Sequence, residues 1–95
     1  MTREKLKEYD KDMHSAITDE MRIVEIRDER QSSVSMSYEA WIQFRDELYR
    51  VLSRADGYYV HHVMPDEQVT ESVDNPEDAV QAIIGDEWKR GESRD

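Results

Sequence analysis

The sequence predicts an α+β protein in which a small antiparallel sheet has amphipathic helices packed on it. Three segments repeat apolar residues at helical spacing, and three short runs are rich in β-branched or aromatic residues. Turn-forming residues separate these segments. The chain has 95 residues and no cysteine, so it forms one small core without disulfides. We therefore expect a homodimer, because self-association adds buried area.

The charge balance narrows the possible partners. Asp and Glu number 23 against 13 Lys and Arg, which gives a net charge of −10. Such a chain is poorly suited to general binding of nucleic acid or anionic membranes. It fits an acidic partner of a basic protein, or a mimic of nucleic acid. No apolar run approaches the roughly 20 residues that span a bilayer, and the first residues lack a signal peptide's apolar segment. We expect a cytoplasmic protein.

The first third of the chain predicts one helix and one hairpin. Residues 2–15 repeat apolar side chains at three- and four-residue spacing, which indicates a narrow amphipathic helix. Residues 21–27, with the sequence MRIVEIR, and residues 32–36 predict two antiparallel strands joined by a short loop.

The middle of the chain predicts a long amphipathic helix over residues 38–55. Ser37 is a good N-cap, and Gly57 follows the expected last turn. The apolar residues that share one helical face are Trp41, Phe44, Leu48, Val51, Leu52 and Ala55.

The last third predicts a strand, a loop and a helix. Residues 58–64, YYVHHVM, are strand-like, and residues 66–74 are polar and predict a loop. Asn75 and Pro76 predict the N-cap and first position of a final helix, which Gly85 is expected to end.

The acidic excess lies mostly in the C-terminal part. From His61 onward there are ten acidic and three basic residues, which is −7 of the net charge. We therefore divide the chain into a core dimerisation domain, residues 1–64, and an acidic partner-binding arm, residues 65–95. The candidate partner-binding residues are Glu77, Asp78, Val80, Ile83, Ile84, Asp86, Glu87 and Trp88. The alternative is that this helix packs on the chain's own sheet.

Basic residues near the N-terminus and in the hairpin are candidates for phosphate contacts. They are Arg3, Lys5, Lys7, Lys11, Arg27 and Arg30. The alternative is a solvated helix with internal ion pairs, because neighbouring acids cancel the positive field.

Metal binding and catalysis find little support in the sequence. His61 and His62 are adjacent on a predicted strand, so their side chains point to opposite faces and make poor co-ligands. The chain has no cysteine nucleophile, glycine-rich phosphate loop or metalloprotease motif. We predict no cofactor, no metal and no catalytic residue.

One segment resembles a known family. Residues 32–53, SSVSMSYEAWIQFRDELYRVLS, resemble the Phd/YefM family of antitoxins, and with upstream positions the resemblance covers residues 16–53. The matching residues are Val34, Met36, Ser37, Tyr38, Glu39, Trp41, Glu47, Leu48, Tyr49 and Leu52. The resemblance implies a dimeric α+β fold, an N-terminal region that recognises operator DNA and a C-terminal region that wraps a toxin. The resemblance further implies that the toxin is a small basic ribonuclease or a Fic-like enzyme.

These observations predict an antitoxin-like protein that blocks a basic partner by steric and electrostatic means. We expect the core and dimer residues to be Val34, Met36, Trp41, Phe44, Leu48 and Leu52. Two other functions remain open. One is an acidic phage or viral inhibitor that mimics nucleic acid, and the other is a structural or assembly protein.

Overall fold

The computed structural model describes residues 2–30, 36–54 and 56–93, and it shows a five-stranded antiparallel sheet preceded by one helix and followed by another along the chain. The elements are α1 (Thr2–Ala16), β1 (Met21–Arg30), β2 (Met36–Phe44), β3 (Glu47–Arg54), β4 (Gly57–His62), β5 (Glu67–Val73) and α2 (Pro76–Ser93). The predicted α+β class is confirmed. In the described part of the chain, neither helix is long and apolar enough to cross a membrane.

The sheet is a simple meander in which each strand pairs with the next. Both helices pack on the same face, which we call the covered face, and leave the other face open. The buried apolar residues of this core are Tyr9, Met13, Met21, Tyr38, Ala40, Ile42, Phe44, Tyr49, Val51, Val60, Ala79, Val80 and Ile83. Alternation along the strands explains this list, because every second residue of a strand points to the same side.

Helix α1 is held to the sheet by Tyr9. Its hydroxyl donates a hydrogen bond to the Val51 carbonyl at 2.7 Å, and its ring stacks between those of Tyr38 and Tyr58, with centroids 5.7 Å and 6.4 Å away. Burial raises the pKa of Tyr9 well above its usual value of 10.0, with a further contribution from Tyr58. The one polar atom of this side chain is thus satisfied inside an aromatic cluster.

Helix α2 begins as predicted but ends later. The side chain of Asn75 accepts a hydrogen bond from the backbone N–H of Asp78 at 2.8 Å, and Pro76 is the first helical residue. The predicted stop at Gly85 is wrong, since the helix continues to Ser93. A glycine inside a helix costs about 1 kcal/mol relative to alanine, but it ends the helix only when the backbone turns left-handed.

The predicted helix over residues 38–55 is wrong. The segment forms β2, a two-residue turn and β3, and the end of the prediction at Ala55 lies outside the described residues. The turn contains no glycine or asparagine, so the sequence carries no hairpin signal there. Arg45 nevertheless has a φ of 55°, a value that glycine or asparagine normally adopts in hairpin turns. Arg45 holds this conformation while its guanidinium lies over the Phe44 ring, 5.2 Å from the centroid.

The predicted loop over residues 66–74 is also wrong, because it contains strand β5. This strand lies at the edge of the sheet and is mostly polar, with Val69 and Val73 packed against the core. Gly57 does not follow a helix but opens β4, with a φ of 140°. A Cβ atom there would lie 2.1 Å from the Ser72 hydroxyl oxygen, so only glycine fits between these strands.

The open face covers itself with long side chains. Glu39 is only 1% exposed there, although no helix lies above it. It accepts hydrogen bonds from the Trp41 indole N–H and from Arg50, the latter at 3.4 Å. The guanidinium groups of Arg27 and Arg50 lie over the Trp41 ring, 5.6 Å and 5.7 Å from its centroid. This layer shields the carboxylate from water and supplies opposite charge.

The residues expected in the core and dimer interface are divided between the two faces. Phe44 is buried on the covered face, and Leu52 is buried on the open face. Trp41 and Leu48 lie on the open face and are only partly buried, so they do not belong to the core. Val34 lies outside the described residues, and Met36 begins β2, without a described side chain.

The buried tyrosines predict a loss of stability at high pH. The pKa values of Tyr9, Tyr49 and Tyr58 are raised, each chiefly by burial, so these groups stabilise the fold fully only below about pH 10, where the unfolded chain keeps their protons. The free energy of unfolding should therefore fall as the pH rises above about 10. In urea titrations from pH 8 to 11, Tyr9→Phe should reduce this slope more than Tyr59→Phe, which alters the open face. Equal slopes would contradict the assignment.

Glu39 is expected to be the most sensitive carboxylate of the open face. Glu39→Gln keeps its shape but removes the charge that faces Arg50, so the free energy of unfolding should fall by about 1–3 kcal/mol. The matched control is Glu25→Gln, which breaks an exposed pair with Arg27 at 2.9 Å and should cost much less. Similar losses from the two substitutions, measured by urea denaturation, would show that burial of Glu39 has no special role.

Candidate partner-binding surface at the second half of α2

Two arginines attach the second half of α2 to the strands and turns beside it. Arg90 donates to Asp86 at 2.6 Å and to Glu67 at 2.8 Å, which ties α2 to β5. Arg45, in the β2–β3 turn, contacts two carboxylates that belong to the Glu20 and Glu87 side chains, at 2.9 Å and 3.2 Å. Each guanidinium therefore faces two carboxylates, and the surface keeps a negative excess.

These contacts change the pKa values of the Arg90 and Tyr49 side chains. Burial opposes the charge of Arg90, but the hydrogen bonds to Asp86 and Glu67 outweigh it, so the pKa of Arg90 is raised. The Tyr49 hydroxyl donates to Asp86 at 2.8 Å, and burial together with this carboxylate raises the pKa of Tyr49. Asp86 thus joins α2 to the core strand β3 through the Tyr49 hydroxyl, and it also accepts from Arg90 of its own helix.

His62 lies at the base of this region and is 1% exposed. Its Nε2 lies 2.5 Å from a Glu47 carboxylate oxygen, and its Nδ1 lies 2.8 Å from the Pro65 carbonyl oxygen. Both ring nitrogens therefore have partners within the chain, and these contacts join β4 to the start of β3 and to the β4–β5 turn.

Several open clefts flank α2, and two of them are lined by Arg90 or Arg45. The larger has a volume of about 420 Å³ and is lined by Glu47, His62, Met64, Pro65, Glu67, Asp86, Lys89 and Arg90. The smaller, of about 290 Å³, is lined by Arg45, Glu87, Trp88, Gly91 and Glu92. With Glu20 added, this surface contains six carboxylates and three Lys or Arg side chains besides His62. We call it the acidic end.

Two large apolar side chains are exposed at the acidic end. Trp88 on α2 is 63% exposed, and Met64 in the β4–β5 turn is 84% exposed. Tryptophan and methionine are enriched at protein interfaces, where tryptophan often contributes most of the binding energy. An exposed tryptophan between carboxylates is suited to contact a protein whose surface carries both apolar and basic groups.

The predicted partner-binding residues do not all lie on this surface. Val80 and Ile83 are 1% and 0% exposed and hold α2 on the sheet, as the alternative reading of this helix expected. Ile84 also packs against the core, while Glu87 is buried beside Arg45. Of the predicted partner-binding residues, Glu77, Asp78 and Trp88 are exposed, and Asp86 is partly buried in the larger cleft.

The predicted arm is part of the fold. Residues 65–93 include β5, which pairs with β4, and α2, which supplies Ala79, Val80 and Ile83 to the core.

The predicted DNA-binding residues whose side chains are described lie on two sides of the sheet. Lys7 and Lys11 are exposed on α1, on the covered side. Arg27 lies on the open face, paired with Glu25 and stacked on Trp41. Arg3 and Lys5 belong to α1, and Arg30 belongs to β1, but their side chains are not among those described.

The two adjacent histidines point to opposite faces, as the strand geometry predicts. His62 is on the covered face beside Tyr49, whereas His61 is on the open face opposite Arg50. Burial and the nearby Arg50 lower the pKa of His61, and Asp66 opposes this shift. Among the described residues, no group of three or more acidic or histidine side chains is placed to hold a metal ion.

Sequence reasoning missed the parts of the acidic end that come from turns. Arg45, Met64 and Glu67 reach α2 only because the β2–β3 and β4–β5 turns lie beside it, and their mutual proximity has no local sequence signal. Arg90 and Glu67 are 23 positions apart, so their contact depends on the tertiary fold.

Comparison with known proteins finds no matching family model, no similar curated protein and no similar solved structure.

Arg90 is predicted to be the main polar link between α2 and β5. Arg90→Met keeps much of the aliphatic stem but leaves Asp86 and Glu67 without their guanidinium partner. The free energy of unfolding should therefore fall by about 1–3 kcal/mol. Amide hydrogen exchange in β5 should become faster. Arg22→Met is the control, because it removes the same group from an exposed position of β1. Unchanged exchange in β5 after Arg90→Met would contradict the link.

Proposed function

We propose that this chain is an antitoxin-like binding protein that blocks a basic protein partner through its acidic end. The observation that carries the proposal is the exposed Trp88, which lines the smaller cleft together with Glu87 and Glu92. The tryptophan supplies apolar contact area, and the carboxylates supply complementary charge and faster association.

The charge of the whole molecule supports a basic partner. A net charge of −10 attracts cationic proteins over distances of about a Debye length, roughly 8 Å at physiological salt. At the acidic end, each of Arg45 and Arg90 is already matched by two carboxylates, so the local field stays negative. The partial resemblance to Phd/YefM antitoxins agrees with a partner of this charge.

Blocking by binding also fits the chemistry of the site. His62 is buried, and its ring nitrogens contact Glu47 and the Pro65 carbonyl, so its contacts are those of a residue that holds the β4–β5 turn in place. We do not propose operator DNA as a second partner, because Lys7 and Lys11 lie on one side of the sheet and Arg27 on the other.

The proposal is tested by capture and titration. The wild-type chain, immobilised, should retain a basic protein from an extract of its native host, and mass spectrometry should identify it. In calorimetric titrations with that purified partner, Trp88→Ala should raise the Kd by about 30-fold, which corresponds to about 2 kcal/mol. Met64→Ala should weaken binding to a smaller extent. Point substitutions are preferable to truncation, because α2 contributes Ala79, Val80 and Ile83 to the core.

Val24→Ala is the matched control. Val24 is 51% exposed in β1, outside the acidic end, so this variant should bind as the wild type does. Binding should also weaken as salt rises from 50 to 500 mM. Equal affinities for Trp88→Ala and wild type would refute the proposed surface. If added DNA or RNA displaces the chain from its partner, the chain is a nucleic-acid mimic and not an antitoxin.

A further inference from the structure

Gly85 occupies an unusual position in α2. It lies in the middle of an 18-residue helix, where glycine costs about 1 kcal/mol relative to alanine. Its φ is not in the left-handed region, and a Cβ atom built on it would meet nothing within 4 Å. Neither a turn nor a close contact within the described chain therefore requires glycine. The missing side chain leaves a notch in the exposed surface of the helix.

Trp88 lies one helical turn beyond this notch. The two residues belong to a single exposed stripe of α2, whose members are Asp78, Gln81, Gly85, Trp88 and Glu92. A large exposed ring and a notch on the same stripe, three positions apart, are self-complementary. In an antiparallel pair of α2 helices related by a two-fold axis, Trp88 of each copy would lie over Gly85 of the other.

We infer that the α2 stripe pairs with the same stripe of a second copy of this chain. The charge pattern favours this occupant. The three middle positions, Gln81, Gly85 and Trp88, are uncharged in a chain with 23 acidic residues. Two-fold pairing sets this neutral centre against itself and brings Gln81 opposite the carboxylate of Glu92, to which its amide can donate.

The inferred dimer is weak and reversible. An axis between Gly85 and Trp88 pairs about 14 residues of each helix, which is a contact about 20 Å long. Such a contact is small among specific interfaces, so we expect a dissociation constant in the micromolar range or above. Each copy has a net charge of −10, and added salt should therefore tighten the dimer by screening the repulsion.

The dimer would regulate the proposed binding surface. Trp88 belongs to both, so a basic partner and a second copy would compete for it. This competition rests on the proposed function, whereas the dimer itself does not. Salt separates the two contacts, because it weakens binding of a basic partner and strengthens the dimer.

Sedimentation equilibrium of the purified chain alone tests the inference, from about 1 to 500 µM. Trp88→Ala should raise the dimer dissociation constant at least tenfold. Gly85→Ala should have two opposite effects: Tm at 1 µM should rise by about 2–6 °C, and the dimer should weaken at least threefold. Ser15→Ala is the control, because it raises helix propensity without a change of charge at an exposed position of α1, outside the stripe. It should leave the dimer unchanged.

Cysteine cross-linking tests the antiparallel arrangement, since the chain has no cysteine of its own. The double variant Gln81→Cys with Glu92→Cys should form covalent dimers on mild oxidation, whereas Gln81→Cys alone should not. Cross-linking by the single variant would show a parallel pair and overturn the arrangement. A chain that stays monomeric up to 500 µM at 500 mM salt would overturn the inference and leave the proposed partner binding standing. If the chain dimerises but captures no basic partner, the inferred dimer stands and the proposed function is refuted.

Discussion

Two helices cover only one face of the five-stranded sheet, and the other face has to be closed by its own side chains. Burial of Glu39 is the result of this constraint. An isolated buried carboxylate would be very unfavourable, but the indole N–H of Trp41 and the guanidinium of Arg50 contact it directly. Stacking of Arg27 and Arg50 on Trp41 then completes a cover over the centre of the open face. The sheet thus has an apolar core on one side and a charged, stacked layer on the other.

The covered face has its own polar requirements, which differ between its two ends. Tyr9 places a single hydroxyl on the Val51 carbonyl, and its ring is packed between two other tyrosines. At the opposite end, a network of charged groups joins α2 to the turns through Arg45 and Arg90. The Tyr9 hydrogen bond adds no net charge, whereas the network around Arg45 and Arg90 leaves carboxylates at the surface. For this reason the region that fastens α2 is also the region best suited to meet a cationic protein.

Part of this fold follows from local sequence patterns. Residues 2–15, the hairpin strand at residues 21–27 and the start at Asn75 carry signals that only one structure satisfies, and the structure agrees with them. The segment over residues 38–55 carries two patterns at once. Its apolar residues fit a helical face, while Tyr38, Ala40, Ile42 and Phe44 also alternate as a strand. A strand pair needs a turn at Arg45, which has a positive φ and whose side chain contacts carboxylates that are distant in sequence, so no local window contains this information.

The acidic end was even less accessible to sequence reasoning. Its acidic bias and Trp88 were visible in the sequence, but strand β5 was not, because an edge strand with few apolar residues resembles a loop. Without β5, the residues around it read as a free arm, and the pairing of Arg90 with Glu67 could not be foreseen. The burial of Val80 and Ile83 follows from the same strand, since the sheet that β5 extends is the surface on which α2 packs.

Departures from local rules are concentrated at the acidic end. Arg45 adopts a left-handed conformation, Gly85 interrupts the exposed side of a helix, and Trp88 and Met64 expose large apolar side chains. Each feature lowers stability or solubility when the monomer is considered alone, and no contact within the described chain compensates for Gly85 or Trp88. Natural sequences keep such local inconsistencies where function requires them. The presence of several such features around α2 is the physical reason for proposing molecular recognition at this helix.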